Sequence, residues 1–149
     1  MHARIICIGN SLFAPDAAGP MVHDLLADGT LPASVGLIDG GLGGLNLLPF
    51  LEDCDLALFV DAVAGFRETP GIVILNPLSL PDESISYGHD AGLGYLLKAA
   101  SHVLAGLPEM LLIGIEGDPT PTSCRQAADA CLALIAGREG TSLSPIDPA

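Results

Sequence analysis

Short continuous apolar runs, separated by stretches of helical periodicity, restrict the fold of this chain more than any other feature. Residues 4–8 (RIICI), 56–60 (LALFV), 72–75 (IVIL) and 110–115 (MLLIGI) are strand-length and show little polar alternation. Strands apolar on both sides are buried on both sides, as in a parallel sheet covered by helices. Residues 35–38 form a further short strand before Asp39-Gly40-Gly41. Between the strands, residues 17–27 place Met21, Val22, Leu25 and Leu26 at helical spacing, with Pro20 tolerable only in the first turn. Residues 91–104 (Leu93, Leu96, Leu97, Val103) and 123–136 (Ala127, Ala130, Leu134, Ile135) repeat the pattern, and residues 45–51 predict a short helix disturbed by Pro49. The alternation predicts an α/β sandwich with a largely parallel sheet.

The chain has 149 residues, enough for one domain with a proper core. That domain is expected over residues 1–139, with a frayed tail over 140–149. Five Lys and Arg stand against eighteen Asp and Glu, a net charge of −13. Such a surface repels a phosphate backbone and argues against nucleic-acid binding. It favours a basic partner or serves solubility. No run approaches the roughly 18 apolar residues of a membrane span. The start lacks the basic and long apolar regions of a signal peptide. A cytoplasmic location without membrane attachment is therefore expected. Cys7, Cys54, Cys124 and Cys131 are scattered, without a C-x-x-C pair, and are expected to be reduced and mostly buried.

In open α/β sheets, ligand sites lie beyond the carboxyl ends of the strands. A nucleotide site would need glycines after the first strand. Here Gly9 is followed by Asn10-Ser11-Leu12-Phe13-Ala14, and no frame of Gly40-Gly41-Leu42-Gly43-Gly44 gives G-x-G-x-x-G. The only lysine, Lys98, is far from either glycine run, and Asp16 would repel a pyrophosphate. Ser11 lacks a nucleophile elbow. His23 and His102 are expected at helix surfaces, and His2 lies near the terminus.

Three residues remain. Asp16 follows the first strand, Asp61 follows LALFV, and His89 stands at a loop-to-helix junction in Ser86-Tyr87-Gly88-His89-Asp90. If the strands at 4–8 and 56–60 are neighbours, Asp16 and Asp61 share one edge of the sheet. Two carboxylates and an imidazole suit zinc or nickel better than calcium, which wants more oxygens. Each residue also has a structural use. Asp16 can cap a helix, Asp61 can cap a turn, and His89 can be a plain loop residue ahead of an Asp90 cap.

The ordered set Ile8-Gly9-Asn10-x-Leu12, an acid before Ala17-Ala18-Gly19, Ile38-Asp39-Gly40-Gly41, Val60-Asp61-Ala62 and Gly88-His89 before a helix resembles the hydrogenase maturation endopeptidases. The resemblance runs from about residue 4 to the last helix. It implies a three-layer α/β/α sandwich around a twisted, mostly parallel five-stranded sheet. It implies removal of a short C-terminal extension from the nickel-loaded precursor of a nickel–iron hydrogenase large subunit, the expected partner. By the same resemblance, Asp16, Asp61 and His89 are the metal-contacting catalytic residues. Asp39, a fourth catalytic residue, helps position the substrate or its scissile segment, and Asn10, Gly40 and Gly41 contact the substrate. The nickel would arrive with the substrate, and zinc or another divalent ion would be able to occupy the site in isolation. A metal that polarises a carbonyl and activates water removes the need for a Ser or Cys nucleophile.

One departure stands out. The family loop usually carries two consecutive acids, and here the first is Pro15. Two other classes therefore stay open: a binding module or chaperone for a metalloenzyme subunit that has lost cleavage, and an unrelated small-molecule α/β enzyme. Asp16→Asn and His89→Ala separate them, since loss of precursor processing with the fold intact belongs to the protease alone.

Overall fold

The computed structural model describes residues 1–79 and 93–143. Its five strands are β1 (Ala3–Ile8), β2 (Val35–Gly41), β3 (Leu56–Val63), β4 (Gly71–Leu75) and β5 (Glu109–Glu116). Its helices are α1 (Ala18–Asp28), α2 (Leu93–Val103) and α3 (Pro121–Leu143). The strands form one sheet in the order β2-β1-β3-β5-β4. All neighbours run parallel except β4, which is antiparallel to β5. The link from β3 to β4 is too short for a crossover helix, so β4 has to return in the opposite direction.

Alternation along the strands divides the core in two. Ile5, Cys7, Leu58 and Val60 pack beneath α1 and α3, with Val22, Leu26, Ala127 and Cys131. Ile6, Ile8, Ala57 and Phe59 face the other way, toward Leu47 and Leu51 and toward Leu93, Leu96 and Ala100 of α2. The sheet is thus the middle of three layers, as expected. β3 is central and buried along its whole length, which explains its unbroken apolar sequence. Truncating Phe59, fully buried at its centre, to Ala would cost about 3–5 kcal/mol.

The elements differ from the expectation in several places. β2 runs two residues past Asp39, to Gly41, and β3 runs past Asp61 to Val63. Residues Leu45–Leu51 form a 3-10 helix, the tighter winding being compatible with Pro49 inside it. α3 extends to Leu143, so the stretch expected to fray is helical over residues 140–143. After β4 the chain makes a 3-10 turn at Pro77–Ser79.

Candidate active site

The first loop is built by its own backbone. Asn10 N–H donates to Asp16 O (2.9 Å) and to Asp16 Oδ2 (3.1 Å). Phe13 N–H donates to Asn10 O at 3.1 Å, and Asp16 N–H to Phe13 O at 2.8 Å. Asn10 Oδ1 accepts from Leu12 N–H at 2.9 Å, so part of its hydrogen-bonding capacity shapes the turn. Pro15 lies in the 3-10 turn Ala14–Asp16, where its fixed φ suits the winding. Gly9, at φ 153°, sits where any Cβ would lie 2.2 Å from Asp16 O. This residue must be glycine for the loop to fold back. The outcome is a carboxylate, Asp16, only 1% exposed, carried on a turn that contacts β3.

β3 supplies the second carboxylate. Asp61 was expected to cap the end of its strand. It lies inside the strand instead, opposite Gly114 of β5, and is fully buried. Alternation puts it on the same face as Phe59 and Val63, the face that α2 covers. Its Oδ1 accepts from Ala62 N–H at 2.8 Å, while Oδ2 has no hydrogen-bond partner among the described residues. Burial pushes the Asp61 carboxyl well above the usual range. The Ala62 N–H pulls it back, and the nearby Asp16 raises it further. β1 and β3 are indeed neighbours, and Asp16 and Asp61 both lie at the carboxyl ends of these strands, within electrostatic reach of each other. His89 lies outside the described residues. Among the described residues, no three His, Cys, Asp or Glu side chains cluster to hold a metal.

Asp39 stands apart from this buried pair. It is exposed near the end of β2, and its Oδ1 accepts from Gly41 N–H at 3.2 Å. Gly9 N–H donates to Gly41 O at 2.7 Å, which ties the two loops into one floor. The two glycines after Asp39 serve different ends. A Cβ at Gly40 would come within 3.0 Å of Cys7 O, so that glycine makes room for β1. At Gly41 a Cβ would meet nothing within 4 Å. Its open side lines a groove of about 580 Å³ with Asn10, Leu12, His23, Asp24 and Asp39. Two residues of that groove escaped sequence reasoning. His23, expected at the surface, is half-buried there and lies 3.4 Å from the Asp24 carboxylate. Their position on α1 carried no motif.

Glu116 was also missed. Its carboxylate accepts from the N–H groups of Gly65 (3.1 Å), Phe66 (2.7 Å) and Arg67 (3.1 Å), pinning the chain after β3. The cysteines behave as expected. Three are buried and Cys54 is half-buried. Burial pushes the Cys131 thiol up to about 12 and raises Cys7 as well. Neither therefore supplies a thiolate near neutral pH.

The sequence profile of the hydrogenase maturation proteases matches residues 20–127. The chain belongs to the hydrogenase maturation protease family. The matched stretch holds Asp39, Asp61 and His89, whereas Asn10 and Asp16 precede it. The hydrogenase 2 maturation protease of Escherichia coli K12 is 28% identical over 120 residues, covering 77% of this chain and 73% of that protein. The hydrogenase expression/formation protein HupD of Rhodobacter capsulatus is 42% identical over 71 residues, covering 47% of this chain but only 33% of HupD. The solved structure of the hydrogenase maturating endopeptidase HybD from E. coli superposes with a TM-score of 0.74 at 23% identity, covering 93% of this chain and 94% of that one. That likeness supports the fold, including the three layers and the mixed sheet.

Proposed function

We propose that this protein is an endopeptidase that removes the C-terminal extension from the nickel-loaded precursor of a nickel–iron hydrogenase large subunit. One observation carries the reading: Asp16 and Asp61 are both buried at the carboxyl ends of β1 and β3, close enough for the Asp16 charge to raise the Asp61 carboxyl, and Asp61 Oδ2 has no hydrogen-bond partner among the described residues. Two adjacent buried carboxylates repel each other unless a proton or a cation stands between them. The donor set therefore fits a divalent cation, with Asp16, Asp61 and His89 as its ligands from this chain. The nickel, carried in by the substrate, would polarise the scissile carbonyl and activate water.

The chain's own residues divide the remaining work. Asp39 and the open side of Gly41 line the groove where the segment to be cut would lie, and Asn10 holds the facing loop in shape. Family membership supports the endopeptidase role and the kind of partner. Zinc or another divalent ion would occupy the carboxylate pair when no substrate is present. A cytoplasmic location belongs to the same proposal. Among the described residues, no helix is long and apolar enough to cross a membrane.

Three ligands from one chain make an incomplete site, because a tight site usually has four. Cleavage would then wait for a correctly loaded precursor and act as a check on metal insertion. Purified protein mixed with nickel-loaded and nickel-free precursor tests this. Processing of the loaded form alone is expected, and equal cleavage of both would sink the nickel-dependent reading.

A further inference from the structure

The two edges of the sheet are finished differently. At the β4 edge, the Arg67 guanidinium donates from Nη1 to Ile72 O (3.1 Å) and from Nε to Thr69 O (3.1 Å). A charged side chain bonded across the outer backbone is a common guard against unwanted strand pairing. At the β2 edge, Ala3 N–H donates to Ser34 O at 3.1 Å, and the parallel register then continues from Ala3 opposite Val35 to Cys7 opposite Asp39. This register turns the backbone of Gly36 and Ile38 toward β1 and that of Leu37 and Asp39 outward. The outward Val35 N–H is already taken by Pro32 O at 3.0 Å. Among the described residues, no hydrogen bond reaches the outward N–H groups of Leu37 and Asp39.

The β2 sequence, VGLIDGG, holds no Lys, Arg or Pro. Val35, Leu37 and Ile38 are only partly buried, in contrast to the wholly buried β3. This unguarded edge runs straight into the groove at Asp39, Gly41 and Leu42.

We propose that β2 is a docking edge for an extended segment of the partner polypeptide, which pairs with Leu37 and Asp39 as a sixth strand and is led into the groove beside Gly41. The inference rests on the protease reading in one respect, that the docked segment belongs to the substrate. Charge selects the occupant. Asp39 and Asp24 both line the groove, together with the exposed Leu12 (94%) and Leu42 (50%). A segment mixing basic and apolar side chains suits that lining. A second copy of this chain does not, because it would bring another net charge of −13 to the same place. Pairing through the main chain binds an extended segment with little demand on its sequence, leaving selectivity to the groove.

Residue-resolved amide hydrogen exchange on the full chain tests the proposal. The probes are a blocked hexapeptide alternating lysine and valine and its glutamate–valine counterpart, each at millimolar concentration. In the free protein the Leu37 and Asp39 amides should exchange fast. The lysine peptide should slow both by about tenfold or more, and the glutamate peptide should leave both unchanged. Slow exchange in the free protein, protection by neither peptide, or equal protection by both would overturn it. So would protection that grows with protein concentration alone, which would mean self-pairing. Precursor processing, assayed on the same sample, keeps the two ideas apart. Lost processing with the edge protected counts against the protease reading only. Intact processing with both amides unprotected counts against the docking edge only.

Discussion

Asp61 is the residue on which stability and function pull hardest against each other. Its burial and the nearby Asp16 carboxylate make the ionised form costly, and the Ala62 N–H compensates in part. The sign of the pH effect follows. A carboxyl whose pKa rises on folding holds its proton in the folded chain at pH values where the unfolded chain, near 3.9, has already lost it. Between those two values the folded state binds more protons, so stability falls as pH rises above about 4 and levels off above the folded value. Asp61→Asn keeps an acceptor for Ala62 N–H and removes the charge. It should melt at a higher temperature than the wild type at pH 7, by about 2–4 °C for each kcal/mol released. The gap should close as pH falls toward about 4. The same variant should lose precursor processing by roughly 100-fold or more. Thermal melts across the pH range check the first claim and a processing assay the second. A gap in melting temperature that does not change with pH would contradict the burial argument.

Among the elements, the contact of α1 with β1 brings Asp16 to its place. α1 begins two residues after Asp16 and lies so close to the strand that a Cβ on Gly19 would fall 2.1 Å from Ile8 O. In an ordinary helix, Gly→Ala gains up to about 1 kcal/mol. Here the sign should reverse: Gly19→Ala should destabilise by about 1–3 kcal/mol, because the helix must lift off the strand. Urea unfolding would show it as a lower midpoint with an unchanged slope. These elements were legible in the sequence where burial was two-sided, as in LALFV. Their ends were not, because pairing carries a strand past its last apolar residue. Asp61 stays in β3 through its place opposite Gly114, and Gly41 stays in β2 opposite Ile8. Asp16 and Asp61 could be joined only by assuming that β1 and β3 are neighbours, which the strand order bears out. Glu116 and His23 left no such trace. Their partners are set by how a loop and a helix pack over the strand ends, and no spacing along the chain encodes that.

For the whole molecule, the dominant property is charge. Five basic residues against eighteen acidic ones leave −13 on 149 residues. Part of that small positive complement is already engaged internally. Arg4 donates to Phe50 O and Glu52 O, Arg67 covers the β4 edge, and Arg138 pairs with Glu109. The field around the protein is therefore strongly negative, and acids also line the groove at its mouth. A field of this kind acts mainly on encounter. It speeds association with a positively charged face over distances that salt cuts to about 10 Å at 0.1 M. Contacts inside the groove act mainly on release. Raising salt from about 50 to 500 mM should therefore slow association with a basic partner surface by roughly tenfold, while the dissociation rate changes by less than about threefold. Stopped-flow measurement with immobilisation-free labelling of the precursor would separate the two rates. If the association rate ignores salt, the acidic surface serves solubility alone, and the partner is recognised by the groove and its neighbouring edge without electrostatic steering.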